Sequence, residues 1–147
     1  METTELANKQ ALTELANKLF MYTDARQWPL LLQEVFAKDV WFDMSSAGGG
    51  EPKLLPAVVI CDMWKEGFKD LDAVHHQAGH YLITIKEGTA AIYAYATATH
   101  FKKAATKGNT RAFVGSYNLE AQQTPEGWRL NQFTYNLKFI DGNANLE

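Results

Sequence analysis

The chain has 147 residues, 46% of them hydrophobic, and a formal net charge of −3, which suits one domain with a full core and excludes disordered and fibrous classes. No basic run exceeds Lys102-Lys103 followed by Lys107, so a nucleic-acid partner is not expected. Cys61 is the only cysteine, which rules out an intrachain disulfide framework; the N-terminus lacks a signal-peptide pattern and the longest apolar tract, Leu54 to Cys61, is too short to span a bilayer, so a cytoplasmic protein without a membrane partner is expected.

Thr4 suits an N-cap, and Leu12, Leu15, Ala16, Leu19, Phe20 and Tyr22 recur at three- and four-residue spacing, which predicts a long amphipathic helix. Asp24, four residues beyond Phe20, falls on the apolar stripe at the helix C-terminus, where the macrodipole disfavours an anion. It either caps the turn before Trp28-Pro29 or serves chemistry. Pro29 opens a second predicted helix that buries Leu31, Leu32, Val35 and Phe36. Val40 to Asp43 reads as a short strand, and Ser45 to Gly50 as a flexible loop. A third helix starts at Pro56 and places Ile60, Trp64 and Phe68 on one side, with Cys61 as a small buried hydrophobe.

From Ala73 the pattern turns to long strands, roughly 73–85, 89–102, 110–123 and 127–139, divided by the turn signals Lys86-Glu87-Gly88, Lys107-Gly108-Asn109 and Thr124-Pro125-Glu126-Gly127. Asp141 to Asn145 reads as a loose tail. Helices first and a strongly curved meander afterwards predict one α+β domain over residues 1–147. Its mostly antiparallel sheet forms a cone-shaped barrel, covered by the N-terminal helices and enclosing a pocket.

Strand alternation puts Val74, His76, Ala78, His80 and Leu82 on one face and turns His75 away. The next strand aligns Ile92, Ala94, Ala96, Ala98 and His100, a row of small residues that leaves room either for a helix or for a cavity. On the third, Val114, Ser116, Asn118 and Glu120 are taken as one face, with Phe113, Tyr117 and Leu119 opposite. Trp128, Leu130, Phe133, Tyr135 and Phe139 supply core wall from the last. His76 and His80 lie about 13 Å apart at ~3.3 Å per residue, too far to share an ion, and no zinc-binding spacing occurs, so neither metal nor cofactor is expected.

Tyr22 to Trp28, Phe36 to Asp43, His75 to Gly79 and Gly127 to Leu130 together resemble the SnoaL-like branch of the nuclear-transport-factor-2-like superfamily, from about residue 8 to 139. Within that branch the spacing is most similar to scytalone dehydratase and the related hexachlorocyclohexane dehydrochlorinase. The resemblance implies an Asp–His dyad formed by Asp24 and His76, a second pocket histidine at His100 and a pocket asparagine at Asn118. Where scytalone dehydratase has two tyrosines that hold a water, this chain has Thr23 and Met44. Arg111 is a loose counterpart of an arginine in the dehydrochlorinase-type pocket. Thr23, Met44, Trp64, Phe133 and Tyr135 are the expected substrate contacts beside Asn118.

The implied activity is proton abstraction next to a carbonyl on a small apolar or aromatic substrate, followed by elimination or isomerisation, as in a dehydratase. His76 would take the proton, with His100 and Asn118 donating to the developing enolate or leaving oxygen. A rival reading is a non-catalytic small-molecule binding or accessory protein of the same fold. A sheet face showing Tyr93, Tyr95, Phe113 and Tyr117 would leave an apolar patch, from which a homodimer is expected.

Overall fold

The computed structural model describes residues 3–147. Helix α1 (Thr3–Asp24) includes Thr4 and buries Leu12, Leu15, Ala16, Leu19, Phe20 and Thr23 along the predicted stripe. Its end is set locally: the Arg26 N–H bonds to the Thr23 carbonyl at 3.0 Å and the Gln27 N–H to the Tyr22 carbonyl at 2.8 Å, a Schellman ending. Arg26 sits at φ +56°, where glycine is favoured, and its guanidinium donates to the Leu71 carbonyl at 2.6 Å, which offsets the strain. Asp24 is therefore the last helical residue at a tied-down terminus.

The second predicted helix is shorter than expected. Helix α2 (Trp28–Leu30) passes into a π-helical turn, Leu31–Val35, and Phe36 is already extended at the start of β1 (Phe36–Asp43). A 3-10 turn, Ser45–Ala47, leads to β2 (Lys53–Pro56), a strand hidden inside the apolar tract, and α3 (Ala57–Gly67) follows with Pro56 as its cap. The loop expected to be flexible is pinned: Ser46 Oγ donates to the Tyr135 carbonyl at 2.8 Å and accepts the Leu137 N–H at 2.8 Å. At Gly49 a Cβ would lie 2.8 Å from the Met44 Cβ, so the loop folds back only because that position is glycine.

Strands β3 (Ala73–Lys86), β4 (Thr89–Phe101), β5 (Thr110–Thr124) and β6 (Gly127–Gly142) form the expected meander, within three residues of the predicted ends. The sheet order is β2-β1-β6-β5-β4-β3, antiparallel except where β1 runs parallel to β6. It is a curled six-stranded sheet with β2 and β3 at its edges, so the barrel is not closed. One core joins α1 to the inner face, with Ala90, Ile92, Ala94 and Ala96 giving the helix its room.

Register shifts correct several face assignments. Between Gly79 and Leu82 two residues of β3 oppose one of β4, and His80 takes φ +55°. This bulge turns His80 outward against Tyr95, 6.2 Å between ring centroids, leaves Leu82 exposed, and brings Tyr81, Ile83 and Ile85 onto the core. On β5 the inner face carries Phe113, Tyr117, Leu119 and Ala121, the opposite of the expected parity. Phe139 is exposed beyond a further shift. The expected loose tail is fixed too: Asp141 and Gly142 belong to β6, Leu146 is buried against Leu71 and Val74, and the Glu147 carbonyl accepts the Thr106 N–H at 2.9 Å. Among the described residues no helix is long and apolar enough to cross a membrane.

Candidate active site

The open end of the curl, where α1 stops, holds a cavity of about 300 Å³. Its walls are mostly aromatic and aliphatic, including Leu19, Phe20, Phe42, Phe68 and Phe113. Ala47, Gly48 and Gly49 from the pinned loop and Met63 from α3 complete the rim. The size and lining suit a small apolar ligand with few polar anchors.

Asp24 meets His76 twice. Its Oδ2 accepts the His76 backbone N–H at 2.8 Å, and its Oδ1 lies 2.5 Å from His76 Nδ1. A carboxylate only accepts, so Nδ1 carries a hydrogen, and in the neutral ring Nε2 keeps the lone pair. The ring packs on Phe20 at 5.4 Å and lines the cavity, and among the described residues no protein group hydrogen-bonds Nε2. The two contacts also give the carboxylate the donors it needs at an unfavourable helix end.

His76 and His100 are diagonal neighbours on the inner face, since His76 pairs with Ala98 and Val74 with His100; such neighbours stand about 7 Å apart. His100 is 8% exposed, wedged between Phe68 and Phe113 at 5.4 and 5.2 Å. Arg111, its partner across β4 and β5, donates from Nε to His100 Nδ1 at 3.0 Å and from Nη1 to the Ala144 carbonyl at 3.0 Å. Arginine has no acceptor, so Nδ1 is the acceptor and Nε2 carries the hydrogen. Burial, then the Arg111 charge and His76, push the His100 pKa down to about 4, with Asp24 acting weakly the other way. His100 is therefore a neutral donor throughout the physiological range. Arg111 stands behind it and does not line the cavity, which corrects its provisional place as a pocket arginine.

Thr23, Met44, Trp64, Phe133 and Tyr135 all line the cavity. Thr23 is spent locally, donating to the Leu19 carbonyl at 2.6 Å. Asn118 does not join them. It pairs with Tyr93 on the outer face and accepts from Asn136 Nδ2 at 2.8 Å through Oδ1, because the β5 alternation runs one residue out of step with the expectation. Its inner neighbour Tyr117 lines the cavity instead, and so does Phe113. The signal for these two is present in the sequence, since Phe113, Tyr117, Leu119 and Ala121 form a more apolar row than Ser116, Asn118, Glu120 and Gln122. Moving both inward also leaves only Tyr93 and Tyr95 of the expected outer patch. Cys61 is buried, its thiol pushed up to about 11 chiefly by burial, which suits packing and not nucleophilic work. Among the described residues no three His, Cys, Asp or Glu side chains gather as a metal set.

An aspartate-held histidine facing a partly open, mostly apolar cavity in a curled α+β sheet is the arrangement that the chain presents. The SnoaL-like domain matches residues 4–134, and the chain belongs to that family. No curated protein matches it. Among solved structures, the Kfla4162 protein of Kribbella flavida superposes with a TM-score of 0.91 at 26% identity, over 97% of each chain. A protein of Novosphingobium aromaticivorans provisionally named an aromatic ring hydroxylase gives 0.79 at 23% identity over 96% of each chain. Another from that organism, provisionally named a scytalone dehydratase, gives 0.83 at 12% identity over 97% of this chain and 92% of its own. All three share the fold of this chain.

Proposed function

We propose that the protein is a lyase or isomerase that removes a proton next to a carbonyl group of a small apolar or aromatic substrate. The observation that carries this reading is the double grip of Asp24 on His76, which leaves Nε2 free at the cavity wall. A base must have its proton-accepting atom unoccupied and aimed at the substrate, and a merely satisfied polar pair would not need an open second nitrogen. The dehydratase-like relative adds weight to the same class of chemistry.

In this reading Asp24 fixes the tautomer and orientation of His76, and Nε2 takes the proton. His100, a neutral donor at Nε2, bonds to an oxygen that gains charge or leaves. Thr23, Met44, Trp64 and Phe133 shape the apolar walls and exclude water, which strengthens these hydrogen bonds. The test is deuterium uptake by candidate ketones in deuterated water. Wild type should exchange the hydrogens beside the carbonyl and His76→Ala should lose this activity; equal rates in both would remove His76 from the reaction.

A further inference from the structure

The alanine row of β4 changes role along its length. Ala90, Ala94 and Ala96 pack in the core with α1, whereas Ala98, only 5% exposed, stands outside that core and lines the cavity. The helix ends at Asp24, whose carboxylate meets the His76 backbone, so the space above the Ala98 methyl falls to the cavity.

Register sets this small residue between two rings. Ala98 is the direct cross-strand partner of His76 on β3 and of Phe113 on β5, and all three line the cavity. His76 and Phe113 therefore stand two strands apart, roughly 9.5 Å at ~4.8 Å per strand, and the curl inclines their side chains toward each other. A flat ring between them needs roughly 7 Å, two carbon contacts of ~3.5 Å. A larger residue in place of Ala98 would fill this slot from its floor.

The slot also has the direction that the chemistry requires. A C–H bond beside a carbonyl must stand perpendicular to the carbonyl plane for its electron pair to enter the π system, so the base must approach a face of a flat ketone and not its edge. A ketone that stands on Ala98 with one face on Phe113 turns the other face to His76. His100, diagonal to His76 in the adjoining row, meets the oxygen at the edge of the ring.

Resting on the reading of His76 as the base, we propose that Ala98 is the specificity-determining residue of the site and that the slot above it selects flat ring ketones. In the step, the C–H bond breaks and its proton goes to His76 Nε2. The C–H pair forms the new C=C bond, the carbonyl π pair moves to oxygen, and His100 Nε2–H donates to that enolate. Return of a proton from His76 Nε2 to carbon reverses it.

Three ketones test this with the full chain: flat 2-indanone, 1,1-dimethyl-2-indanone, which carries a methyl on each face, and the smaller cyclopentanone. Dissociation constants come from NMR titration and deuterium uptake at the α-carbons from proton NMR. Wild type should bind 2-indanone at least about 10-fold more tightly than its dimethyl analogue, the usual scale for an added methyl group in a shaped pocket. Ala98→Val should weaken 2-indanone by about 10-fold or more and leave cyclopentanone within about threefold. Equal weakening of both, equal binding of the two indanones, or no saturable binding of 2-indanone by wild type overturns the proposal. His76→Gln should keep the size preference and lose uptake. Uptake that survives in His76→Gln would overturn the base reading and leave the slot standing. Thermal unfolding separates slot from packing. Ala98→Val, facing the cavity, should melt within about 2 °C of wild type, whereas Ala96→Val, in the core, should melt lower by about 3–10 °C. An equal drop in both would place Ala98 in the packing of the fold and overturn the proposal.

Discussion

His76 and His100 occupy neighbouring strands of one sheet and face one cavity, yet their environments are opposites. His76 has a carboxylate on Nδ1 and His100 a guanidinium. The acidic partner makes the first ring present a lone pair, and the basic partner makes the second present a hydrogen. Residue type thus does not settle chemical role; the charge behind the ring does. The same contrast gives Arg111 its place: it does not line the cavity, yet its hydrogen bond to Nδ1 fixes which nitrogen of His100 carries the hydrogen.

Removing the accepting ring should be the most damaging change. His76→Ala is expected to lower ketone deuterium exchange by ~10²–10⁴-fold, the usual contribution of a positioned base, and exchange followed by proton NMR measures it. Asp24→Asn comes next. The oxygen of the substituted side chain would keep the backbone N–H of His76, and its amide would then donate to Nδ1 and force the hydrogen onto Nε2. The fold should hold while exchange falls about 10²-fold or more, as expected when a base is locked in the wrong tautomer. Ring nitrogen shifts of His76 would report the switch directly, and unaltered shifts would break the contrast between the two histidines.

How much of this arrangement is legible in the sequence depends on whether a signal is local or comes from register. The α1 stripe, the meander ends and the place of Asp24 follow from periodicity and turn residues, and the structure has them within a few positions. The pairing of Asp24 with His76 follows from family resemblance and not from spacing, because 52 residues separate the two. What the sequence hides is parity. His80, a residue without any obvious bulge signature, takes a left-handed conformation and flips β3. On β5 the resemblance points to Asn118, whereas the apolar row through Tyr117 is the better guide. The role of Arg111 is equally hidden, since its partner on the adjacent strand is fixed only once β4 and β5 are in register.

Arg111 offers a third test, acting on stability and titration. Because His100 has a folded-state pKa near 4 against an ordinary 6.5, the unfolded chain binds its proton first as pH falls. The stability from keeping this ring neutral is complete above about pH 6.5 and is lost between there and about pH 4, by up to ~3 kcal/mol. Denaturant unfolding across that range should show the decline, and His100→Gln should flatten it. Arg111→Gln removes the repelling charge but not the burial, so the His100 midpoint seen by NMR should rise only part of the way toward its ordinary value. A midpoint that does not move would assign the whole effect to burial and leave Arg111 with the tautomer alone.

The smallest effect is expected at Asn118, and it is informative because the family resemblance places this residue in the pocket while the strand register places it outside. Its amide oxygen accepts from Asn136 on the solvent side of the sheet, and the Cα pairing to Tyr93 sets it back to back with the cavity wall. Asn118→Ala gives up one exposed hydrogen bond, so stability should change by no more than about 0.5 kcal/mol and ketone exchange should stay within about twofold of wild type. The neighbouring Tyr117→Phe keeps the cavity lining and removes one hydroxyl, so it should slow exchange more than Asn118→Ala does. If the order were reversed, the β5 register would be wrong by one residue.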